Sequence, residues 1–277
     1  MNKLLWLVNP VTFTDSDIDY PVYISKILNT KLTALLLDEY KLQPLMVVSN
    51  DPMFPTVEYR IPTLEIPDNQ PALFEEGKQR ILNSTQSSNI SLVLHEGSGD
   101  AESDILIESR FSDLIVVKSN ISFNFSDTNV PSNFLMNILP KVECPILILP
   151  ENLQEINEIF FTYNGSYSSL YAIRQFSLLF PQLSKLPVTV LYVPEEEGEI
   201  KYQQHLKELL YQHYENLSIK VLKGDAGTAI EKELATKSNA IVTFGALGRN
   251  KLSYFFKKST AENSLNKLHL PLFITHP

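Results

Sequence analysis

The chain has 277 residues, of which 44% are hydrophobic and 20% charged, and this composition predicts a folded protein with one large domain or two of ordinary size. Its net charge of −9 argues against general binding to nucleic acid or to an anionic membrane, because both need clustered cations. A single cysteine excludes an internal disulfide framework and a cysteine-rich metal site.

The opening segment, MNKLLWLVNP, carries one lysine and a run of five apolar residues that ends at Asn9-Pro10. This run is shorter than the apolar region of a signal peptide. No stretch of the sequence reaches the roughly 18–20 apolar residues of a membrane span. We therefore expect a cytoplasmic protein without a membrane partner.

The rest of the first half predicts short apolar strands on either side of a long irregular stretch. After the strand at 4–8, five prolines fall between residues 51 and 75. That density interrupts regular elements and predicts a long surface excursion. Further apolar strands are predicted at 112–117 and 146–149, and a linker follows near 150–154.

The second half alternates strands with helical patterns, which indicates βαβ units and a mostly parallel sheet. Ligands of such sheets bind beyond the carboxyl ends of the strands, near the switch in strand order. Asn164, Val193 and Gly245 follow or end predicted strands, so we expect them to line one crevice. The predicted elements are strand 158–163, helix 167–180, strand 187–193, helix 200–216, strand 218–222, helix 226–237, strand 240–244, helix 259–267 and strand 271–275.

The two halves repeat one another at a constant spacing. Asp113 and Asn239 each precede an apolar strand, and Pro145 and Pro271 each open another. Both pairs are 126 residues apart (239 − 113 and 271 − 145), which indicates duplication of a whole domain. The first strands of the halves are nearer 153 residues apart, so the first half carries about 27 extra residues in its middle (153 − 126).

A glycine-containing loop follows the strand at 240–244. That strand ends at Gly245, Gly248 comes three residues later, and Ser259 and Thr260 open a helix-like segment eleven residues further on. Glycine lets backbone N–H groups approach a ligand, and the N-terminus of a helix favours an anion. The pattern is typical of a phosphate cradle, with a tight turn that binds nothing as the alternative. Four basic residues nearby could attract phosphates or form a solvated face: Arg249, Lys251, Lys257 and Lys258.

Together these stretches resemble the signatures of the universal stress proteins. Phe244-Gly245-Ala246-Leu247-Gly248 and Lys258-Ser259-Thr260 resemble the family's G-x-x-G-x9-G-[ST] loop. Tyr163-Asn164-Gly165-Ser166 resembles its first-strand motif, and Leu191-Tyr192-Val193 resembles its second-strand motif. The sequence is thus similar to that of a tandem universal stress protein, most clearly in its second half.

The resemblance implies an α/β fold of two tandem Rossmann-like domains, 1–150 and 151–277, related by a pseudo-two-fold axis. Each domain is expected to hold a five-stranded, mainly parallel sheet flanked by helices. The chain would then be an internal pseudo-dimer, in which the final strands 146–149 and 272–275 pair across the axis. A homodimer of whole chains is a further possibility.

The resemblance also implies an adenine nucleotide, ATP, as the ligand of the second domain. Two positions depart from the family pattern, since Asn164 replaces an aspartate and Lys258 replaces the third glycine. The residues expected to contact the nucleotide are Asn164, Val193, Phe244, Gly245, Gly248, Lys258, Ser259 and Thr260.

The first half has lost the signature. At the spacing of 126 residues, its counterparts of the loop positions are Ser119, Ser122, Ser132 and Asn133, and no glycine lies between Gly99 and Gly165. We therefore expect the first domain not to bind ATP in the manner of the family.

Two functions remain open from the sequence. The second domain could bind an adenine nucleotide as a regulatory ligand, or a chain of the same fold could have lost the ligand and act through contacts with a protein partner of unknown identity. An enzyme is disfavoured, because there is no GxxxxGK[ST] motif and Glu262 is the only acid near the loop. We expect no catalytic residues and no metal, since the five histidines do not cluster.

Overall fold

A computed structural model describes residues 3–38, 45–48, 57–60, 70–88, 90–123, 127–151, 154–194, 199–245, 270–275 and 277. The strands are Leu4–Val8 (β1), Leu32–Leu36 (β2), Leu45–Val48 (β3), Val57–Arg60 (β4), Leu92–Glu96 (β5), Leu114–Lys118 (β6), Ile146–Leu149 (β7), Glu158–Tyr163 (β8), Val188–Tyr192 (β9), Leu217–Val221 (β10), Ala240–Gly245 (β11) and Leu272–Thr275 (β12). The α-helices are Asp19–Leu28 (α1), Gln70–Ser87 (α2), Ala101–Ser109 (α3), Asn133–Ile138 (α4), Tyr167–Leu179 (α5), Gln203–Tyr211 (α6) and Ala226–Leu234 (α7). Three short 3-10 helices are Pro10–Thr12, Asp15–Ile18 and Pro181–Leu183.

One sheet of ten strands runs through both halves in the order β10-β9-β8-β11-β12-β7-β6-β1-β2-β5. Each half contributes five strands that pair in parallel. The halves meet where β12 pairs antiparallel with β7, with Phe273 opposite Leu147. This junction confirms the expected pairing of the final strands, and the fold class predicted from the sequence is confirmed with it.

The extra residues of the first half lie between β2 and β5. Counterpart strands begin 154 residues apart for β1 and β8 (158 − 4) and 156 apart for β2 and β9 (188 − 32). The spacing then falls to 125 for β5 and β10 (217 − 92) and is 126 for β6 and β11 (240 − 114). The insertion therefore sits in the middle of the first half, as the sequence predicted.

Within this insertion the structure corrects one expectation. The proline-dense stretch 51–75 was predicted to be irregular, yet β4 lies inside it and pairs antiparallel with β3. The prolines at 55 and 62 flank β4 and do not interrupt it, and the strand sequence VEYR contains a β-branched and an aromatic residue that favour extended backbone.

The central strands are buried on both faces, which explains their continuous apolar runs. All five residues of β1 are buried. Alternate residues face different cores, with Trp6 in one hydrophobic cluster and Leu7 in the other. The cluster that contains Trp6 also contains Phe176 and Phe273 of the second half. The hydrophobic core is therefore continuous across the junction of the halves.

Candidate functional site

Three of the predicted ligand residues lie at the same edge of the sheet. Asn164 directly follows β8, Val193 directly follows β9, and Gly245 ends β11. These strands are neighbours in the order β9-β8-β11 and run parallel, so their carboxyl ends meet. Phe244, one residue earlier in β11, is buried. Four other predicted residues, Gly248, Lys258, Ser259 and Thr260, lie outside the described residues.

The turn after β8 forms the start of this edge. The side-chain oxygen of Asn164 accepts a hydrogen bond from the backbone N–H of Ser166 at 3.0 Å. Gly165 between them has a φ of +80°, which glycine adopts without strain. Ser166 then caps α5, its hydroxyl oxygen accepting from the N–H of Ser169 at 3.3 Å. Asn164 therefore shapes the turn with its oxygen, a task that either an amide or a carboxylate can perform.

Gly245 has a packing reason to be glycine. A Cβ atom at this position would lie 2.2 Å from the carbonyl oxygen of Ser168 and 2.6 Å from the backbone nitrogen of Ser169. The end of β11 thus runs directly against the first turn of α5. From the sequence, Gly245 was predicted to contact phosphate. The structure adds a second reason for glycine, because the backbone of β11 approaches the backbone of α5 too closely for a side chain, with or without a ligand.

A short segment before α6 covers the edge near Asn164 and Val193. The Tyr163 hydroxyl donates to the carbonyl oxygen of Lys201 at 3.0 Å, and the N–H of Lys201 donates to the Tyr192 hydroxyl at 3.4 Å. A Cβ atom on Gly165 would lie 2.7 Å from Cβ of Lys201. Val193 is only 8% exposed. This contact could not be predicted from the sequence, because nothing in the local pattern places Lys201 against β8 and β9.

In the first half, the counterpart loop closes on itself. The N–H of Ser132 donates to the carbonyl oxygen of Ser119 at 2.8 Å, and the Ser132 hydroxyl donates to the carbonyl oxygen of Ile121. The Asp127 carboxylate accepts from the backbone N–H of Asn133 at 2.7 Å and from its side-chain amide at 3.1 Å. Asn133 aligns with Ser259, so a carboxylate of the chain itself occupies the start of the helix that follows this loop.

Hydrogen bonding keeps that carboxylate ionised. Burial alone would raise the pKa of Asp127, but hydrogen bonds from Asn129 and from the backbone N–H of Asn133 outweigh it and lower the pKa. An anion arriving here would meet a fixed negative charge in place of open N–H groups. This geometry gives a physical reason for the loss of the phosphate signature in the first half.

The first half nevertheless contains a pocket that the sequence did not predict. It measures about 230 Å³ and lies at the carboxyl ends of β1 and β6. An ion pair joins Lys118 Nζ to Asp17 Oδ1 at 2.5 Å within its lining. The two residues are 101 positions apart, and no local motif links them, so only the folded chain brings them together.

Among the residues that the structure describes, no group of three or more histidine, cysteine, aspartate or glutamate side chains could hold a metal ion. Over the same residues, none of the helices combines the length and apolar character needed to cross a membrane.

Solved structures define the class of fold. The chain is similar to a universal stress protein from Archaeoglobus fulgidus DSM 4304, with a TM-score of 0.66, 12% identity, and coverage of 99% of this chain and 96% of that one. A candidate universal stress protein from Pseudomonas aeruginosa UCBPP-PA14 gives a TM-score of 0.55 at 12% identity, with coverage of 99% and 93%. A protein of unknown function from Pseudomonas aeruginosa PAO1 gives 0.56 at 13% identity, with coverage of 99% and 92%.

These similarities span both halves and show that the chain has the fold of the universal stress proteins. No protein-family model matches the sequence, and no curated protein sequence matches it. The resemblance found in the sequence motifs is therefore confirmed at the level of the fold.

Proposed function

We propose that the chain is a cytoplasmic, non-catalytic regulatory protein of the universal stress type whose second half binds an adenine nucleotide. One observation carries the proposal: Asn164, Val193 and Gly245 lie at the carboxyl ends of three adjacent parallel strands. Sheets of this class take their ligands at that edge. ATP is the candidate nucleotide, with the universal stress fold as support.

Each residue has a distinct role in this proposal. Val193 packs on the adenine ring, and Asn164 offers its amide N–H groups to the nucleoside, because its oxygen already serves the turn. Gly248 lets the loop backbone approach the phosphates, and Ser259 and Thr260 donate hydroxyl groups to them. The role is regulatory because the sequence lacks the metal-holding acid and positioned lysine that phosphoryl transfer needs.

Isothermal titration calorimetry with Mg-free and Mg-bound ATP tests the proposal. We expect one nucleotide per chain and a rise in melting temperature, since a ligand of the native state at 100 times its Kd stabilises by about 2.7 kcal/mol. Gly248→Val should abolish both effects, because a β-branched side chain crowds the phosphates. Ser122→Val alters the first-half counterpart of Gly248 and should leave them unchanged. Two equivalent sites, or full binding by Gly248→Val, would contradict the assignment.

A second candidate function is a protein of the same fold that works without nucleotide, through contacts with a protein partner. The segment at Lys201 favours it, because that segment covers the edge where adenine would enter. Gly245 is also consistent with this second function, since its packing against α5 explains the glycine without a ligand.

Lys258 separates the two functions. If the backbone before Ser259 needs a positive φ, a lysine there costs roughly 1–2 kcal/mol of strain, whereas an ammonium paired with phosphate contributes about 1 kcal/mol when partly exposed. We expect Lys258→Gly to strengthen ATP binding or to create it. Weaker binding by Lys258→Gly would make Lys258 a phosphate ligand and reject the obstruction. No binding by either form would favour the nucleotide-free function.

A further inference from the structure

The pocket of the first half lies at a switch in strand order. β1 pairs with β2 on one side and with β6 on the other, and the pocket opens at the carboxyl ends of β1 and β6. Its volume of about 230 Å³ is below the roughly 300–1,000 Å³ typical of sites for larger ligands. The site therefore suits a small metabolite better than a nucleoside triphosphate.

A buried charge pair gives this pocket a built polar wall. Asp17 is only 8% exposed and is held without help from Lys118, since its carboxylate accepts from the N–H of Thr14 at 2.9 Å and from the Thr14 hydroxyl at 2.8 Å. Lys118 uses one of its three N–H donors on Asp17. The Lys118 side chain is 26% exposed, so its ammonium can donate to a ligand while the carboxylate stays in place.

The lining presents donors and acceptors together. Asn9 is 8% exposed, and its amide donates to the carbonyl oxygen of Ser122 at 3.2 Å, which fixes the side chain. Lys118 is the one cationic side chain of the described lining, which also contains two carboxylates, Asp17 and Asp127. The two carboxylates outnumber the single ammonium, so the lining would repel an anion. A cation would find the Asp127 oxygens already engaged by Asn129 and Asn133.

Hydroxyl groups of a ligand can pair with both the donors and the acceptors of this lining, because each one donates one hydrogen bond and accepts others without carrying charge. We propose that the first-half pocket binds a small, uncharged polyhydroxylated metabolite of the monosaccharide or cyclitol class. Lys118 and Asn9 donate to its oxygens, and Asp17 accepts from one of its hydroxyls. This site is separate from the adenine nucleotide proposed for the second half and takes a different class of ligand.

The only tryptophan of the chain provides a local readout. Trp6 lies in β1 and lines the pocket, so we expect its fluorescence to change when the pocket is occupied. D-ribose, D-glucose and myo-inositol are titrated separately into the full chain while Trp6 fluorescence is recorded. We expect a saturable change with at least one of the three, and no saturable change with inorganic phosphate or acetate at matched ionic strength.

Two variants make the test specific. Lys118→Met should weaken binding by about tenfold or more, since it removes a charged donor, while Lys31→Met changes an exposed lysine outside the pocket and should bind as the parent does. Thr12→Phe fills the exposed rim without removing a charge and should abolish the signal, which keeps the test decisive if Lys118→Met does not fold. Saturation by phosphate or acetate instead, an equal response in Thr12→Phe, or no saturable response to any of the three probes would overturn the proposal.

Discussion

Gly245 shows how one residue can carry two interpretations that differ in their consequences. Gly245→Ala places a Cβ atom 2.2 Å from the backbone oxygen of Ser168. We expect its free energy of unfolding to fall by about 2–3 kcal/mol in the absence of any nucleotide, as for other overpacked sites. Urea denaturation measures the loss. Gly224→Ala is the control, because its Cβ meets nothing within 4 Å and only its φ of +101° resists alanine, at about 1 kcal/mol. A smaller loss at Gly245 than at Gly224 would reject the packing explanation.

The charge of Asp127 predicts how the free energy of unfolding changes with pH. Its pKa is lowered in the folded chain from an ordinary 3.8. Its charge therefore stabilises the fold fully above pH 3.8, and this contribution is lost as the pH falls through the lowered folded value. We expect Asp127→Asn to lower the free energy of unfolding at pH 7 by less than about 1 kcal/mol, because the carboxylate is only partly buried and solvent screens its charge. The difference from the parent should disappear in strong acid.

Denaturant unfolding between neutral and acidic pH checks that expectation. Glu155→Gln serves as a control, since it neutralises an exposed carboxylate away from the loop. A deficit in Asp127→Asn that is unchanged in strong acid would show that the carboxylate charge is not its source.

For individual residues, the sequence predicted positions at strand ends better than it predicted contacts between side chains. Spacing alone placed Asn164, Val193 and Gly245 at strand ends, and the structure puts them at one edge. Lys201 and the pair of Asp17 with Lys118 could not be found in the same way, because their partners lie far along the chain and a single sequence has no pattern that joins them.

Among the elements, the contact between α5 and the segment that follows α6 depends on a buried tyrosine. Tyr214 donates to the Ser177 hydroxyl at 3.0 Å and packs against Phe161 of β8. Burial raises the pKa of Tyr214 from 10.0 to about 12, and the hydrogen bond to Ser177 opposes the rise in part. The folded chain therefore holds this proton more tightly than the unfolded chain, and stability must fall as the pH rises above 10.

Tyr214→Phe removes that titration. We expect the variant to lose about 1 kcal/mol at neutral pH through the missing hydrogen bond. It should also lose less stability than the parent between pH 10 and 12. Guanidinium unfolding across this range provides the measurement, with Tyr211→Phe as the control because Tyr211 is 60% exposed. Parallel pH profiles for Tyr214→Phe and the parent would contradict the assignment.

Element order was predictable because apolar runs and turn residues alternate regularly in the second half. The boundaries of α6 were predicted less well. The helix was expected over 200–216, and it spans Gln203–Tyr211 because Tyr202 takes a left-handed φ of +54° at its start. The hairpin of β3 and β4 was missed, since the prolines around it dominated the local pattern. Its two strands are short and form a separate two-stranded sheet among the described residues.

On the scale of the whole molecule, duplication has produced two halves with one architecture and different loops. The pairing of β7 with β12 leaves no free edge at the centre of the sheet, so its outer strands are β10 and β5. The first-half loop carries its own carboxylate at Asp127, whereas the second half has Gly245 and Gly248 at the start of its loop and Lys258 further along. One fold can thus present two sites of different chemistry, which is why the two ligand proposals are tested separately.

Splitting the chain tests whether the halves are separate folding units, and the boundary at residue 150 stays a prediction until then. Segments 1–150 and 151–277 would each expose one partner of the β7–β12 pair when alone, and an exposed strand edge promotes self-association. Produced together, they should form a one-to-one complex. The ladder that sets Phe273 opposite Leu147 would re-form, and the N–H of Ile156 would again donate to the Tyr23 hydroxyl across the two segments.

Size-exclusion chromatography with light scattering measures the outcome of the split. We expect a complex with the mass of the intact chain, 31.5 kDa, and self-associated species for each segment alone. Phe273→Asp in the second segment is the informative variant, because Phe273 is fully buried beside the junction. Its ring centroid lies 5.3 Å from that of Phe176 and 6.0 Å from that of Phe180. A buried carboxylate there should prevent assembly, whereas Leu178→Asp, on the exposed surface of α5, should not. Segments that stay monomeric alone and remain apart when mixed would show that the junction of β7 with β12 contributes little to holding the molecule together.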